Sequence, residues 1–343
     1  MEHSGRRQTT AAMGLAILAA AACGAACNAL WGIGDLTYES PTAGGGTGVV
    51  GGSGGSGQAG GAGGAPTGTQ TTSSPGGMGG TGAGGAGGQP RWLVDRGLLV
   101  RYYVDEAASG QTPTDLADSA PNPLDLPITY TPEMTFVEQA GNRGLEWTAT
   151  QVDGRAMALV PDTKIEQALD GATEATIESV IQVSPNTDYW SYVSHIGLAG
   201  DFGHFSLVIG STAESALFWW ESPGTTNSAG EWPLDFGALG RFVVHVVLDT
   251  SQANGDHRVR LFVNGGSVAV GTPSGYPIAQ PALDEPIDLG GGSYFVLGNR
   301  DSGDRSYEGI LFYSALYAVA LTDSEIAINA EVLLADDDTP TDS

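Results

Sequence analysis

The chain has 343 residues, 53 of them glycine, and its formal net charge at pH 7 is −26. A chain this acidic is repelled by nucleic acid and by anionic membrane surfaces, so both are poor partners for its folded part, and no nucleic-acid partner is predicted. The only cysteines, Cys23 and Cys27, lie near the N-terminus. The rest of the chain can therefore form no disulfide and must be stabilised by burial of apolar side chains.

The N-terminal residues have the pattern of an export signal. Arg6 and Arg7 precede the apolar run 11–22, and a basic start followed by an apolar stretch of this length is typical of a secretory signal peptide. The run is shorter than the ~20 residues that a membrane-spanning helix needs. We therefore predict a signal peptide over residues 1–22.

The end of this run resembles a bacterial lipobox, in which small residues precede a cysteine that is acylated. The sequence is Ala20-Ala21-Ala22-Cys23-Gly24, with Ala20 where leucine is usual. We predict lipid attachment at Cys23, with Cys27 as the second candidate. The protein is then an exported, membrane-anchored lipoprotein, periplasmic or at the cell surface. A cleaved, soluble secreted form and an uncleaved anchor are the alternatives.

Residues 42–90 are the most biased part of the sequence. No residue between Thr42 and Pro90 is charged, and nearly every second one is glycine. Such a segment cannot bury enough apolar surface to offset its conformational entropy. We predict a disordered linker over 42–90, with a root-mean-square span of ~35–40 Å, preceded by a juxtamembrane segment over 23–41.

From residue 91 the sequence changes to short apolar runs separated by Gly, Pro, Asn and Asp, which is the pattern of strands and turns. In 175–184, Ile177, Ile181 and Val183 alternate with polar residues, and Asn264-Gly265-Gly266 predicts a tight hairpin turn. About a dozen strands with no helix between them favour an antiparallel two-sheet sandwich or jelly roll. The predicted strands are 98–104, 156–160, 175–184, 191–198, 205–209, 216–220, 241–249, 259–263, 267–270, 294–297 and 310–317.

One short helix is predicted at the C-terminal end of this domain. Thr322-Asp323-Ser324-Glu325 has the form of a capping box, and Ile326, Ile328 and Leu333 follow it. The domain is therefore predicted to cover residues 91–335. The acidic residues 336–343 are predicted to form a disordered tail.

Three segments resemble LamG-like domains, which are jelly rolls of the concanavalin A-like lectin and glucanase superfamily. They are a strand–turn–strand over 259–268, the sequence Val296-Leu-Gly-Asn299, and 307–326, where a closing strand precedes the capped helix. The resemblance covers residues 95–335 and implies that the closing strand pairs with the first strand. It leaves function open, because this fold carries lectins, glycosidases, adhesion modules and structural domains.

Catalytic motifs are missing from the predicted domain. Glycosidases of this fold carry Glu-x-Asp-x-x-Glu on one strand, and that string does not occur. Residues 91–335 contain no Gly-x-Ser-x-Gly motif and no HxH or HxxxH pair. His245 alternates with Val243 and Val247, which indicates a histidine hydrogen-bonded within a sheet. We predict that the protein is not an enzyme.

Calcium is the one ion that the resemblance implies. Members of this family often bind it at the sandwich edge, and a hard cation takes carboxylate oxygens as ligands. Asp105 and Asp118 flank the first loop, and Asp301 and Asp304 precede the closing strand. These four aspartates are the predicted ligands of a structural calcium, and no other cofactor is predicted. The alternative is that they are ordinary turn aspartates.

Tryptophans point to sugar binding. Trp219, Trp220 and Trp232 place three indole rings in a short stretch, and neighbouring residues on a strand point to opposite faces. One of Trp219 and Trp220 is then outward and free to stack on a pyranose ring. These three are the predicted ligand-binding residues, with core packing as the alternative.

Together these features predict a non-catalytic binding or adhesion domain, with glycan as the favoured ligand. Docking to an envelope or extracellular protein is the first alternative. A divergent glycoside hydrolase is the second.

Overall fold

The computed structural model describes residues 92–106, 112–185, 190–198, 204–220, 228–269 and 285–340. The predicted signal peptide, juxtamembrane segment and linker, with Cys23 and Cys27, lie outside these residues, so the predictions made for them stay predictions. None of the described helices is long and apolar enough to cross a membrane.

Strands dominate the described residues, as the alternating sequence predicts. The sixteen strands are β1 (Leu98–Tyr102), β2 (Asp115–Leu116), β3 (Leu126–Thr129), β4 (Met134–Gln139), β5 (Asn142–Trp147), β6 (Arg155–Leu159), β7 (Glu174–Val183), β8 (Ser191–Gly197), β9 (Phe205–Ile209), β10 (Ser215–Trp220), β11 (Ser228–Pro233), β12 (Arg241–Asp249), β13 (Val259–Val263), β14 (Gly266–Val268), β15 (Tyr294–Leu297) and β16 (Gly309–Tyr317). The helices are α1 (Lys164–Leu169), α2 (Asp323–Ala335) and the 3₁₀ turns Ser211–Ala213, Phe236–Ala238 and Gly255–His257.

The strands form two antiparallel sheets of eight strands each. Sheet A has the order β14-β13-β12-β7-β16-β5-β4, with β1 also paired to β16, and sheet B has the order β11-β10-β9-β8-β15-β6-β3-β2. The predicted pairing of the first strand with the closing strand is confirmed, since Arg101 of β1 lies opposite Ala315 of β16. The prediction of an all-β, two-sheet jelly-roll sandwich is confirmed.

One large apolar core lies between the sheets, and strand alternation decides which side chains enter it. On β7, Ile177 and Ile181 point into this core, as predicted, and Val244 and Val246 do so on β12. The alternating side chains, such as Val180 of β7 and Val243 of β12, face outward. Among the largest fully buried core side chains are Trp147, Trp232, Tyr307, Phe236 and Phe242.

Helix α2 covers the outer face of sheet A. The Thr322 side chain accepts the amide hydrogen of Glu325, and the Glu325 side chain accepts that of Thr322, so the predicted capping box is confirmed. Ile326, Ala330 and Leu333 recur at helical spacing. They form a second apolar cluster with outward side chains of β7, β12 and β16. Sheet A is therefore buried on both faces.

The elements that sequence patterns miss are short. Helix α1 lies between β6 and β7, where the sequence predicts no helix; its six residues are capped by Thr163, and Ile165 and Leu169 are buried one turn apart. Strands β2 to β5 and β11 are also missed, because they are brief, polar or interrupted by proline, such as Pro127 within β3. Their position in a sheet, rather than their own pattern, makes them strands.

The described part of the acidic tail is held against the domain, which corrects the prediction of a disordered tail over 336–343. Asp337 is fully buried and lies 2.7 Å from Arg241 Nη2 of β12. Asp105 accepts the amide hydrogen of Thr339 at 2.7 Å. Composition alone does not reveal that these tail residues have partners. Residues 341–343 lie outside the described residues.

Candidate functional site

Part of the outer face of sheet B is polar, and a bulge on β8 creates it. The pairing of β8 with β9 shifts register between Tyr192 and Ser194, while Val193 and Ile196 pack into the core. Tyr192 and His195 therefore both face outward, and their rings meet edge to face with centroids 5.3 Å apart. Bulges that re-aim side chains in this way are common next to functional sites.

Residues 298–306, which we call the closing loop, connect β15 to β16 and fold over this end of sheet B. Gly298 has φ +76°, and an added Cβ would overlap the Trp147 ring, so glycine is required here. At the other end, Tyr192 donates its amide hydrogen to the carbonyl oxygen of Arg305 at 3.0 Å. The closing loop is thus fixed against the core at its start and against β8 at its end.

Asn299 organises the inside of the closing loop. Its amide nitrogen donates to the carbonyl oxygens of Val152 at 2.7 Å and Gly154 at 3.1 Å. Its side-chain oxygen accepts the backbone amide hydrogens of Arg300 and Arg305, both at 2.9 Å. One buried side chain therefore joins the closing loop to the β5–β6 connection and fixes the backbone from which Arg300 projects.

Arg300 and Asp304 form a two-point ion pair on the closing loop. Arg300 Nε and Nη2 lie 2.5 and 2.6 Å from the two carboxylate oxygens of Asp304, and Ser302 Oγ donates to the same carboxylate at 2.6 Å. The hydrogen bonds from Arg300 hold the pKa of Asp304 well below its usual range. The guanidinium is thereby fixed in one orientation.

His195 is fully buried beneath the closing loop. Its Nδ1 lies 3.0 Å from Ser206 Oγ, and its Nε2 lies 3.7 Å from Asp301 Oδ1, which is too long for a hydrogen bond. Nε2 has no hydrogen-bond partner among the described residues. Burial, together with the electrostatic influence of Arg300 and His204, lowers the pKa of His195 to about 3. The ring is therefore neutral at physiological pH.

Ser206, His195 and Asp301 are the residue types of a hydrolase triad, but their arrangement is not one. Ser206 and His195 are fully buried, so a substrate cannot reach the serine oxygen. A neutral imidazole with so low a pKa is also a weak base. The closing loop instead brings a carboxylate and a guanidinium together over a buried imidazole. We call Tyr192, His195, Ser206, Arg300 and Asp301 the loop site.

An exposed apolar strip lies on the same face of sheet B. Tyr294 of β15 pairs with Leu159 of β6 on one side and with Gly197 of β8 on the other. Leu159 is 53% exposed, and Gly197 has no side chain to cover the tyrosine ring. Met157 lies two residues before Leu159 and so on the same face. Tyr294 lies next to β8, the strand that carries His195, whereas Met157 and Leu159 lie one strand farther away, on β6. We call these three side chains, of which Leu159 is exposed and the other two are half-buried, the apolar strip.

The predicted ligand-binding tryptophans do not belong to this exposed surface. Trp219 faces outward from sheet B, opposite Ser206, but it is only 1% exposed. Its ring lies against that of Trp190, with centroids 5.5 Å apart. Trp232 is part of the core, and the side chain of Trp220 lies outside the described part of the structure. Trp219 and Trp232 are therefore buried by packing against other side chains, which is the alternative to the predicted ligand contact.

The four aspartates predicted as calcium ligands have other partners. Asp118 accepts three backbone amide hydrogens and lies 2.6 Å from Lys164 Nζ. Asp105 binds the backbone of the C-terminal segment. Asp301 and Asp304 are both in the closing loop, beside His195 and Arg300 respectively. Among the described residues no three acidic, histidine or cysteine side chains gather as a metal site, and calcium binding stays a prediction.

Asp301 is the one residue of the loop site that is also among the site residues predicted from the sequence. Ser206 reaches His195 through strand pairing, and Asp301 reaches it through the closing loop. These contacts join residues that are distant in sequence, so no local motif reports them. The available signal is an ionisable residue, His195, within the predicted strand 191–198, because such groups are rarely buried without a partner.

No family model matches the chain, and no curated protein matches it. The sialidase of Trypanosoma rangeli in complex with sialic acid is similar in structure, with 17% identity and a TM-score of 0.47 over 71% of this chain and 34% of that chain. The receptor-binding domain of a botulinum neurotoxin C/D mosaic serotype has 11% identity and a TM-score of 0.46 over 69% of this chain and 51% of that chain. The chain thus spans about a third of the sialidase and half of the toxin domain.

Proposed function

We propose that this protein is a non-catalytic, glycan-binding lipoprotein whose ligand is bound on the outer face of sheet B. The observation that carries the proposal is the carboxylate of Asp301 and the guanidinium of Arg300 on the closing loop, on the same face of the sheet as the apolar strip. Sugar hydroxyls form hydrogen bonds with such polar groups, and the C–H faces of a pyranose pack on apolar and aromatic side chains. A site that combines the two suits a neutral, hydroxyl-rich ligand.

The first described residues of the domain, near residue 92, lie away from the loop site. Val94 donates its amide hydrogen to Asn329 Oδ1 of α2 at 2.8 Å, and Arg96 Nη2 lies 2.7 Å from Glu325 Oε2. The chain therefore joins the domain on the α2 side, on the outer face of sheet A. The loop site lies on the outer face of sheet B, on the opposite side of the sandwich from these first described residues.

A glycan array probed with the full chain tests the proposal. We expect binding to at least one class among neutral, sulfated and sialylated glycans, and at least ten-fold weaker binding by Arg300→Gln, since the guanidinium is part of the loop site. Arg260→Gln is the matched control, because Arg260 also forms an ion pair with an aspartate, Asp323, but at sheet A. Its binding should equal that of the unaltered chain.

The same array separates the alternatives. Binding to no glycan by a folded full chain would contradict the sugar ligand and favour docking to an envelope protein. Release of sugar products would contradict the non-catalytic assignment. An arm with EDTA tests the predicted calcium, since loss of binding that added Ca²⁺ restores would support an ion at the site.

Lipid attachment needs its own measurement. Mass spectrometry of the full chain from bacterial membranes should find an acylated N-terminal cysteine that Cys23→Ala abolishes. Acylation that only Cys27→Ala abolishes would move the attachment to Cys27. A chain without acyl groups would contradict the lipoprotein assignment.

A further inference from the structure

The outer face of sheet B is covered in one half and open in the other. On β9 and β10 the outward side chains of Val208, Leu217 and Trp219 are buried in an apolar cluster of their own. On β6, which has a paired strand on each side, Leu159 is instead 53% exposed. An exposed leucine on an interior strand, next to other apolar side chains, belongs to a contiguous apolar surface of the kind that marks binding sites.

Pro127 extends the apolar strip by one strand. Ile128 of β3 packs against the core and pairs with Ala156 of β6, so the exposed Pro127 faces outward beside Met157. We call the apolar strip together with Pro127 the open patch. It spans β3, β6 and β15, or about 10 Å at the ~4.8 Å spacing of paired strands. Val296, the next outward residue of β15, is fully buried, so the open patch ends there toward the loop site.

Tyr294 has the surroundings of a stacking platform. Its paired neighbours are Leu159 on β6 and Gly197 on β8, so a side chain flanks the tyrosine ring at only one of the two paired positions. The tyrosine is half-buried, and strand pairing on both sides fixes its backbone. An aromatic ring has a negatively polarised face, against which the C–H groups of a saturated ring pack. The open patch therefore suits a ligand with a flat, apolar ring face.

Charges beside the open patch disfavour an anionic ligand. Arg155 lies two residues before Met157 on the same face of β6, and its guanidinium is already paired with Asp153. Asp115 of β2 is exposed and lies opposite Pro127. The whole chain carries a formal charge of −26. A carboxylate or sulfate on the ligand would be repelled by Asp115 and by the chain as a whole.

The size of the open patch disfavours a protein partner. A specific protein–protein interface takes ~20–30 residues from each side, whereas the open patch consists of Pro127 and the three side chains of the apolar strip. A second copy of this chain would also bring the same strong negative charge and be repelled. A patch about 10 Å across matches one or two sugar rings instead.

We propose that the open patch is the stacking subsite for a neutral sugar, whose C–H face lies on Tyr294. The inference rests on the proposed glycan-binding function and deepens it, because it names the ligand class as neutral and assigns the residue beneath the sugar ring. Every member of the open patch is exposed or half-buried, so a ligand contacts it directly from solution. The sugar hydroxyls remain at the rim, where a carboxylate such as that of Asp115 accepts hydrogen bonds.

Tyrosine variants of the full chain test the subsite on the glycan array. We expect Tyr294→Ala to bind the recognised glycan about ten-fold more weakly, because the stacked ring is lost. Tyr294→Phe should bind as the unaltered chain does, because the ring and not the hydroxyl makes the contact. Trp92→Ala is the matched control and should also bind normally, since Trp92 is a 70% exposed aromatic residue at the start of the described domain.

Two leucine variants give a second test. Leu159→Ala removes apolar surface beside Tyr294 and should weaken binding about three-fold. Leu334→Ala is its control and should leave binding unchanged, because Leu334 is also exposed, at 38%, but belongs to α2. Circular dichroism verifies folding. If Tyr294→Ala does not fold, the comparison of Leu159→Ala with Leu334→Ala decides the matter.

Neutral and charged forms of one glycan test the ligand class. Lactose and 3′-sialyllactose on the array differ by a single negatively charged sugar. We expect a neutral form to bind at least as tightly as its sialylated or sulfated form. Tighter binding of the charged forms would overturn the neutral class and leave the proposed function standing.

Met157 reports on the open patch in solution. The chain has five methionines, so the methyl resonance of Met157 can be assigned by its absence from Met157→Leu. Titration with lactose, cellobiose and maltose should shift this resonance with at least one of the three sugars, and Tyr294→Ala should abolish the shift.

The remaining failures are distinguishable. Equal binding by Tyr294→Ala and the unaltered chain, or equal losses in Tyr294→Ala and Trp92→Ala, would overturn the subsite and leave the proposed function standing. An unaltered chain that binds no glycan would overturn both. A Met157 resonance that none of the three sugars moves would overturn the subsite, since a sugar on the open patch lies beside that methyl group.

Discussion

Sheets A and B each bury a polar side chain on the outward face of a central strand, and the two side chains are satisfied to different degrees. On sheet A, Glu178 Oε2 accepts hydrogen bonds from His245 Nε2 at 2.8 Å and Asn329 Nδ2 at 2.7 Å, and Oε1 accepts from Tyr313 and Tyr317, both at 2.9 Å. On sheet B, the His195 ring has one hydrogen bond and one nitrogen without any among the described residues.

The difference separates a structural cluster on sheet A from the proposed binding site on sheet B. Burial alone would raise the pKa of Glu178, but hydrogen bonds from His245, Asn329 and Tyr313 hold it below its usual value. The carboxylate is thus charged and has no hydrogen-bonding capacity left for a ligand. Its partners come from β12, β16 and α2, so the cluster fastens the helix to the sheet. His195 keeps the capacity that Glu178 has used.

The largest effect is expected from breaking the sheet A cluster. Glu178→Ala leaves His245, Asn329 and two tyrosine hydroxyls without their acceptor. Loss of one member of a buried charged pair costs ~3–5 kcal/mol. Urea denaturation should show a drop of this size in the free energy of unfolding.

Glu138→Ala is the control for that measurement. Glu138 also pairs with an arginine, but the closest approach to Arg143 is 3.5 Å and the glutamate is 62% exposed. An exposed pair contributes ~0–1 kcal/mol. Equal losses in the two variants would contradict the view that the Glu178 cluster holds α2 on sheet A.

Sequence patterns predict the long, regular elements of this fold well. Alternation in β7 and the apolar run of β12 place Ile177 and Val244 in the core, and the capping box locates the start of α2. His245 is predicted as a hydrogen-bonded sheet residue, and its bond to Glu178 confirms it. Each of these features is local, so the residues that determine it lie in one stretch of the sequence.

The loop site depends on features that no single stretch contains. A bulge in β8 turns His195 outward, and Trp147, far away in sequence, decides where Gly298 starts the closing loop. The prediction that an outward-facing tryptophan is free to stack on a sugar was incomplete for a related reason. Period-2 alternation correctly separates neighbouring side chains, but it cannot tell whether the outer face at Trp219 is covered, and Trp219 is buried there.

A medium effect is expected from moving the closing loop while leaving its side chains unchanged. Gly298→Ala forces a Cβ into the Trp147 ring at a positive φ. Left-handed strain and overpacking together cost about 2–4 kcal/mol. Thermal or urea unfolding should record this loss, and glycan binding should weaken as well, since Arg300 and Asp301 follow directly.

Gly240→Ala separates the two causes. Gly240 has φ +67°, but nothing lies within 4 Å of an added Cβ, so this variant carries the strain without the overlap, or ~1–2 kcal/mol. It should also leave glycan binding intact, because Gly240 precedes β12 of sheet A. Equal effects on binding would mean that the position of the closing loop does not govern the loop site.

The smallest effect is expected at the exposed ion pair between Arg96 and Glu325, which joins the N-terminal residues of the domain to α2. The hydrogen bond from Arg96 lowers the pKa of Glu325 from 4.5 to about 2 in the folded protein, whereas the unfolded chain keeps the higher value. A carboxylate with a depressed folded pKa stabilises the fold above pH 4.5, and this contribution is lost as the pH falls toward 2. Since Arg96 is 46% exposed, solvent screening limits the contribution to at most ~1 kcal/mol.

Glu325→Gln should therefore lower the free energy of unfolding slightly at pH 7 and flatten its decline between pH 4.5 and 2. The control variant Glu138→Gln should keep the slope of the unaltered chain. A Glu325→Gln curve parallel to that of the unaltered chain would mean that this pair does not help to hold α2 and the N-terminal residues together.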